Sequence, residues 1–188
     1  MPLNLPNLIT WLRIILIPLL IGIFYRPDSW LSPEGKKVAS CAIFVVAAVS
    51  DWLDGYLARV LDQASAFGAF LDPVADKLIV AAALIVLLQL ERVEPVIALI
   101  IIGREIAISA LREWMAKLGQ AGSVAVAFVG KVKTASQMIA IPLLLFHDDL
   151  FGVLSTHWLG TLLINAAAVL TVISMLHYLR RALPHAVG

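Results

Sequence analysis

Hydrophobic residues form long runs along this chain, and charged residues interrupt the runs at regular places. Six runs carry no charged side chain: 14–25, 38–50, 78–90, 95–103, 134–146 and 150–179. Only the last is long enough to cross a bilayer by itself, because a spanning helix needs about 20 residues. The others reach that length only with charged residues at one end. The pattern therefore predicts six transmembrane helices whose polar ends gather on one side of the bilayer.

The predicted helices cover 9–25, 37–59, 67–89, 95–116, 131–146 and 156–179, and a short segment over 2–7 is expected to lie on the membrane surface. Because successive helices alternate in direction, seven Lys or Arg residues fall on one side and four on the other. Positive residues favour the cytoplasmic side. We therefore expect both termini and the charged helix ends inside, with the first helix retained in the mature protein.

Composition supports this class of protein. Of 188 residues, 61% are hydrophobic and 14% are charged, against about 45–50% and about 25% in soluble domains. This excludes an ordinary soluble globule and a disordered chain, and the formal net charge of +1 implies no surface for nucleic acid. The single cysteine, Cys41, excludes an intrachain disulfide. We expect an all-α polytopic protein, with one transmembrane domain over 1–188.

Two adjoining helix ends carry paired carboxylates. Asp51 and Asp54 lie about 60° apart around a helix, and Asp72 and Asp76 are spaced to share a face of the next helix. A short loop joins the two ends, so the four carboxylates are expected to face one cavity. They cannot all stay ionised without cations, and oxygen ligands suit Mg²⁺, Mn²⁺ or Ca²⁺. Paired divalent ions are typical of phosphoryl transfer.

Small residues accompany the carboxylates on the same faces. Gly55, Ala58 and Gly68 leave room for a bulky ligand such as a nucleotide base and ribose. The alternative is that the acidic residues cap helix ends and the small residues serve helix packing. That interpretation accounts for one aspartate better than for four at matched spacing.

The signature as a whole consists of Asp51, Asp54, Gly55, Ala58, Arg59, Gly68, Asp72 and Asp76. With this spacing it resembles the CDP-alcohol phosphatidyltransferase family at every specified position. The resemblance implies six transmembrane helices, a homodimer, and transfer of a phosphatidyl group from CDP-diacylglycerol to an alcohol with release of CMP. It also implies Mg²⁺ or Mn²⁺, as two ions.

The resemblance implies individual roles as well. The metal ligands would be Asp51, Asp54, Asp72 and Asp76, and Asp76 would also act as the general base. The expected CDP-binding residues are Gly55, Ala58, Arg59, Gly68, Asn7 and Thr10. For Arg59 an ordinary cation at the helix end is an alternative. Helix packing is an equal alternative for Asn7, Thr10 and Arg13, which share one face of the first helix.

Basic residues form a second cluster on the predicted fourth and fifth helices. The candidates are Arg104, Arg112, Lys131 and Lys133. Several cations facing one cavity suit an acceptor that carries its own phosphate, and Glu105 could neutralise or orient one arginine. Positive-inside topology is the alternative, but it explains Arg104 poorly, because a charge well within a span needs a partner.

These segments, with 4–13 and 67–77, resemble one bacterial branch of the family over essentially the whole chain. The resemblance implies sn-glycerol 3-phosphate as acceptor, phosphatidylglycerophosphate and CMP as products, and a location in the bacterial cytoplasmic membrane with the active site inside. A sibling enzyme using inositol phosphate or serine remains an alternative. So does a small metal- or proton-coupled transporter, although the charges avoid the bilayer midplane and no inverted repeat is visible.

Overall fold

The computed structural model describes residues 5–61, 66–117, 128–150 and 154–182. Six helices account for nearly all of them: α1 (Leu5–Gly22), α2 (Pro33–Leu61), α3 (Ala66–Gln89), α4 (Pro95–Lys117), α5 (Phe128–Phe146) and α6 (Thr156–Ala182). A 3-10 turn (Ile23–Tyr25) extends α1, and a short hairpin pairs β1 (Asp149–Leu150) with β2 (Leu154–Ser155). The helical class is thus confirmed for the described residues.

Three helix starts lie three or four residues before the predicted ones, and for α5 the start is Phe128 rather than Lys131. Residues 5–7, expected in a separate surface segment, form the first turn of α1, where a proline such as Pro6 is tolerated because the first turn needs no backbone donor. The second helix begins at Pro33 rather than Lys37. The Ser32 hydroxyl accepts a hydrogen bond from the Gly35 amide at 3.1 Å, which caps the helix four residues earlier than the hydrophobic pattern suggests.

The helices run alternately between two ends of one bundle. We call the end where α2 finishes and α3 begins the carboxylate end, and the other the opposite end. In the described residues α1 packs on both α2 and α3, α5 packs on α2 and α6, and α4 packs on α6. The contact between α2 and α3 themselves is smaller than the contact of each with α1. The first helix therefore joins the two helices that carry the predicted carboxylates.

Many large apolar side chains face outward, and several polar side chains are buried beside the apolar core. Large apolar side chains are exposed along the helices, among them Ile15, Leu19, Val49, Leu78, Ile85, Leu99, Ile106, Ile139, Leu162, Val169 and Ile173. Buried polar side chains include Thr10, Arg13, Ser50, Arg104, Lys133, Gln137, Thr171 and Ser174. Apolar surface of this extent suits contact with lipid.

Two segments of the described chain, Leu8–Tyr25 and Thr156–Arg180, are long and apolar enough to cross a membrane, judged by length and composition. The other four helices do not meet this criterion over their described residues. The number of six spans therefore stays a prediction.

Candidate active site

Residues of α1 contact carboxylates on its two neighbours, α2 and α3. Arg13 forms an ion pair with Asp76 Oδ1, and its Nη1 also lies 3.4 Å from Asp51 Oδ1. One turn earlier, Thr10 Oγ1 donates a hydrogen bond to Asp72 Oδ1 at 2.6 Å. The Arg13 side chain is fully buried, whereas those of Asp51 and Asp76 are 43% and 35% exposed. Asp51 and Asp76 thus meet at Arg13 and line the cavity beside them, and the Thr10 contact places Asp72 one turn of α1 away.

Sequence reasoning did not foresee these contacts of α1. It assigned Thr10 to the CDP site and left Arg13 between substrate contact and packing. The available signal was the charge of Arg13 inside a span, which requires a partner, on the same helix face as Thr10.

Several predicted residues cannot be placed at side-chain level. Asn7, Asp54, Gly55, Ala58 and Arg59 belong to α1 and α2, but their side chains lie outside the described part of the structure. Gly68 is buried near the start of α3. The CDP-binding assignments therefore stay predictions.

The residues present fit a divalent cation in charge and in donor type. Asp51, Asp72 and Asp76 offer only oxygen donors, and Arg13 is the cation paired with them among the described residues. Excess negative charge at a partly exposed site favours a hard cation. Among the described residues, no three His, Cys, Asp or Glu side chains are placed to hold a metal ion by themselves. The side chain of the fourth predicted ligand, Asp54, lies outside the described part of the structure.

A cavity of about 460 Å³ opens beside the carboxylates. Asp51 and Asp76 line one wall, and the other wall carries Arg104, Arg112 and Lys133. Other polar lining residues are Lys77, Glu105, Ser109, Thr134 and Gln137. The acidic and basic clusters predicted from sequence therefore face each other across one cavity.

Glu105 organises the basic wall. Its Oε1 pairs with Lys133 and lies 3.4 Å from Arg104 Nη1. Arg104 also donates a hydrogen bond to Ser174 Oγ on α6 at 3.2 Å, while its buried Nε has no protein partner. The expectation that Arg104 has partners within the bundle, with Glu105 among them, is confirmed. One N–H of Arg104 remains available for a ligand.

Tyr178, on α6, joins the two arginines. Its ring is buried, and the Cζ atoms of Arg104 and Arg112 each lie 5.6 Å from the ring centroid. Arg112 Nη2 also donates to the Tyr178 hydroxyl at 3.4 Å. Such contacts orient guanidinium groups. Sequence analysis missed this residue because nothing local indicates that α6 passes behind the arginines of α4.

Lys131 does not join the basic wall. It is exposed and is absent from the residues that line the cavity, because a step of two residues turns it about 200° around the helix from Lys133. The expected convergence of four cations is thus corrected to three: Arg104, Arg112 and Lys133.

A second cavity, of about 380 Å³, lies at the opposite end. Arg92 lines it and donates through Nη1 to the carbonyl oxygens of Leu144 and Leu145, at 2.8 and 2.7 Å. Nearby, Lys37 pairs with Asp148 at 2.6 Å. None of the predicted site residues lines this cavity.

The comparison with known protein families agrees with this arrangement, in which carboxylates and basic residues line one cavity of a helical bundle. Residues 3–175 match the family model of CDP-alcohol phosphatidyltransferase, and the chain belongs to this family. Similar proteins named CDP-diacylglycerol–glycerol-3-phosphate 3-phosphatidyltransferase occur in Salmonella choleraesuis (strain SC-B67), 47% identical, and in Escherichia coli (strain K12) and Shigella boydii serotype 4 (strain Sb227), each 48% identical. Each match covers 97% of this chain and 96% of the relative.

Proposed function

We propose that this protein transfers the phosphatidyl group of CDP-diacylglycerol to sn-glycerol 3-phosphate, giving phosphatidylglycerophosphate and CMP. The observation that carries the proposal is the single cavity with Asp51 and Asp76 on one wall and three cations on the other. Similarity over nearly the whole length to proteins named for this reaction supports the same acceptor.

The acidic wall performs the transfer step. The acceptor hydroxyl oxygen attacks the β-phosphorus of CDP-diacylglycerol, and the bond from that phosphorus to the bridging oxygen breaks, so that CMP leaves. Asp76 accepts the proton of the attacking hydroxyl, as a positioned carboxylate can. The ion pair with Arg13 holds Asp76 in place, and Thr10 does the same for Asp72.

Carboxylates alone would repel a diphosphate. We therefore include Mg²⁺ or Mn²⁺, as two ions held by Asp51, Asp54, Asp72 and Asp76, which would neutralise the phosphate oxygens when bound. The CDP moiety would lie beside Gly55, Ala58, Arg59 and Gly68, near Asn7 and Thr10 of α1.

The basic wall binds the acceptor. Arg104, Arg112 and Lys133, offset by Glu105, leave two positive charges, which match a phosphate monoester of about −1.5 to −2 at neutral pH. The unpartnered Nε of Arg104 supplies a donor for one phosphate oxygen. Serine offers no phosphate to such a wall, so the sibling enzyme that uses it is disfavoured.

The proposed setting is a bacterial cytoplasmic membrane, with both termini and the carboxylate end on the cytoplasmic side and the enzyme a homodimer. Exposed apolar helix faces support contact with lipid. The soluble acceptor would reach the cavity from the cytoplasm, while the diacylglycerol tails of the donor stay in the bilayer.

The test is CMP release by the purified protein in detergent with CDP-diacylglycerol and Mg²⁺. Parallel reactions receive sn-glycerol 3-phosphate, inositol phosphate or serine, and a further set receives a chelator. We expect CMP only with sn-glycerol 3-phosphate and only without chelator. Release with another acceptor instead contradicts the acceptor, activity in chelator contradicts the metal requirement, and no release with any acceptor contradicts the enzyme assignment.

A further inference from the structure

One buried polar atom in the cavity has no role in the scheme above. Gln137, on α5, is 4% exposed and lines the same cavity as Asp76 and Lys133. Its Oε1 is buried and has no hydrogen-bond partner. Buried side-chain polar atoms are nearly always paired, because leaving one unpaired costs free energy. An unpaired buried oxygen on a residue that lines a cavity therefore points to a ligand.

The position of Gln137 limits what that ligand group is. Lys133, in the basic wall, lies four residues earlier on the same face of α5, so Gln137 is just over one turn, about 6 Å, farther along. Asp76 lines the same cavity from α3. A ligand with its phosphate near Lys133 and its reacting hydroxyl near Asp76 places its middle portion toward Gln137.

The chemistry of the carboxamide narrows the choice further. It is uncharged, with one accepting and one donating group, so it does not attract phosphate as a cation would. A carboxamide suits an alcohol, because a hydroxyl group both donates and accepts a hydrogen bond. The proposed acceptor has two hydroxyls: the less hindered primary one attacks, and the secondary one remains without a partner in the scheme above.

We propose that the Gln137 carboxamide binds the secondary hydroxyl of the acceptor, and so selects a phosphorylated diol over a simple phosphorylated alcohol. This assignment rests on the proposed function. It makes Gln137 a specificity-determining residue, distinct from the cations that bind the phosphate and from the carboxylate that takes the proton.

The test compares two acceptors, sn-glycerol 3-phosphate and 3-hydroxypropyl phosphate, which lacks only the secondary hydroxyl. For the wild type we expect kcat/KM to favour the diol by about tenfold or more, as the loss of a hydrogen bond to a buried polar group predicts. In Gln137→Met, a near-isosteric apolar variant, the preference should fall to within about twofold. KM for CDP-diacylglycerol should not change in the variant.

Two further variants separate recognition from structure. Gln89→Met makes the same change at an exposed residue at the end of α3 and should keep the wild-type preference. Gln137→Glu retains an accepting oxygen, so it should keep the preference while raising KM for both acceptors, because its charge opposes the phosphate. Loss of the preference in Gln137→Glu would contradict the assignment.

Thermal unfolding without acceptor gives an independent readout. Gln137→Met should unfold at the wild-type temperature or above, since the substitution removes an unpaired buried atom. A clearly lower unfolding temperature would show a structural role and overturn the assignment, as would an unchanged acceptor preference in an active Gln137→Met enzyme. A wild type that is inactive with sn-glycerol 3-phosphate overturns the proposed function and this assignment together.

Discussion

The two ends of the bundle hold cavities of similar size but opposite design. At the opposite end, Arg92 bonds to backbone carbonyls at the end of α5 and Lys37 pairs with Asp148 across a loop. Charges there hold chain segments together. At the carboxylate end, Asp51 and Asp76 line one cavity together with Arg104, Arg112 and Lys133. Buried polar atoms without a protein partner occur at both ends, Arg104 Nε and Gln137 Oε1 here and His147 Nδ1 and Thr161 Oγ1 there.

The difference shows that cavity volume is a poor guide to function in this fold. About 380 Å³ at one end and about 460 Å³ at the other would admit ligands of similar size. What distinguishes the carboxylate end is a set of three cationic side chains beside Asp51 and Asp76, which suits a ligand that carries phosphate and also meets carboxylates, whereas the opposite cavity has Arg92 with Glu91 and Glu94. If this interpretation is correct, substitutions at the two ends should have different consequences.

The largest effect is expected from Asp76→Asn. The amide cannot take the proton of the acceptor hydroxyl, so kcat should fall by about 10²–10⁴-fold. CMP release and thermal unfolding of the same preparation are the measurements. Asp148→Asn makes the same change at the opposite end and should leave kcat within about twofold, because it lies outside the cavity. Comparable losses in both variants would remove the functional distinction between the ends.

The next largest effect is expected from a substitution in the basic wall. Arg112→Ala should raise KM for sn-glycerol 3-phosphate by about 10- to 100-fold, the range for a hydrogen bond to a charged group, with a smaller change in KM for CDP-diacylglycerol. Lys131→Ala removes the same charge from a residue that the cavity excludes and should change neither constant by more than about twofold. A larger effect of Lys131→Ala on KM for sn-glycerol 3-phosphate would show that Lys131 belongs to the acceptor site.

A smaller effect is expected from Tyr178→Leu. Loss of the ring that contacts both arginines should raise KM for sn-glycerol 3-phosphate about fivefold, the scale of a partly buried cation–π contact. Tyr178→Phe retains the ring and loses only the long contact from Arg112, so its effect should be smaller. KM for CDP-diacylglycerol distinguishes positioning from general damage, and an equal rise in both constants in Tyr178→Leu would contradict the positioning role.

The smallest effect belongs to the opposite end and concerns stability. Burial lowers the pKa of His147, and the neighbouring Arg92, His157 and Lys37 lower it further, partly offset by Asp148, which raises it. The folded protein therefore favours neutral His147, so its contribution to stability is present above the unfolded pKa of about 6.5 and is lost as pH falls through the folded pKa. Thermal unfolding temperature should fall on acidification for this reason.

The matched variants are His147→Asn and His177→Asn. His147 has a positive φ of 55°, which asparagine tolerates, so His147→Asn should weaken the acid dependence of the unfolding temperature and leave CMP release at neutral pH unchanged. Replacement of the exposed His177 should leave the acid dependence of the unfolding temperature the same as in the wild type. An unaltered dependence in His147→Asn would exclude this histidine as its source.

Much of the site was predictable because it depends on local spacing. Asp72 and Asp76 share a helix face whatever surrounds them, and two helices joined by a short loop bring their ends close. Charge inside an apolar run similarly marked Arg104 as a residue that needs a partner. The predicted boundaries of α3 and α4 lie within one residue of the observed ones, whereas α2 starts earlier through a Ser32 cap that the hydrophobic pattern does not reveal.

Helix periodicity by itself determined the helical class, the paired carboxylates and the basic residues of the fourth and fifth helices, because each depends on neighbours within a few positions of the chain. Only the tertiary structure decided that Arg13 joins Asp51 and Asp76, that Lys133 enters the cavity while Lys131 does not, and that Tyr178 lies behind two arginines. The physical reason is that helix pairing depends on close packing between distant segments, which no local pattern records.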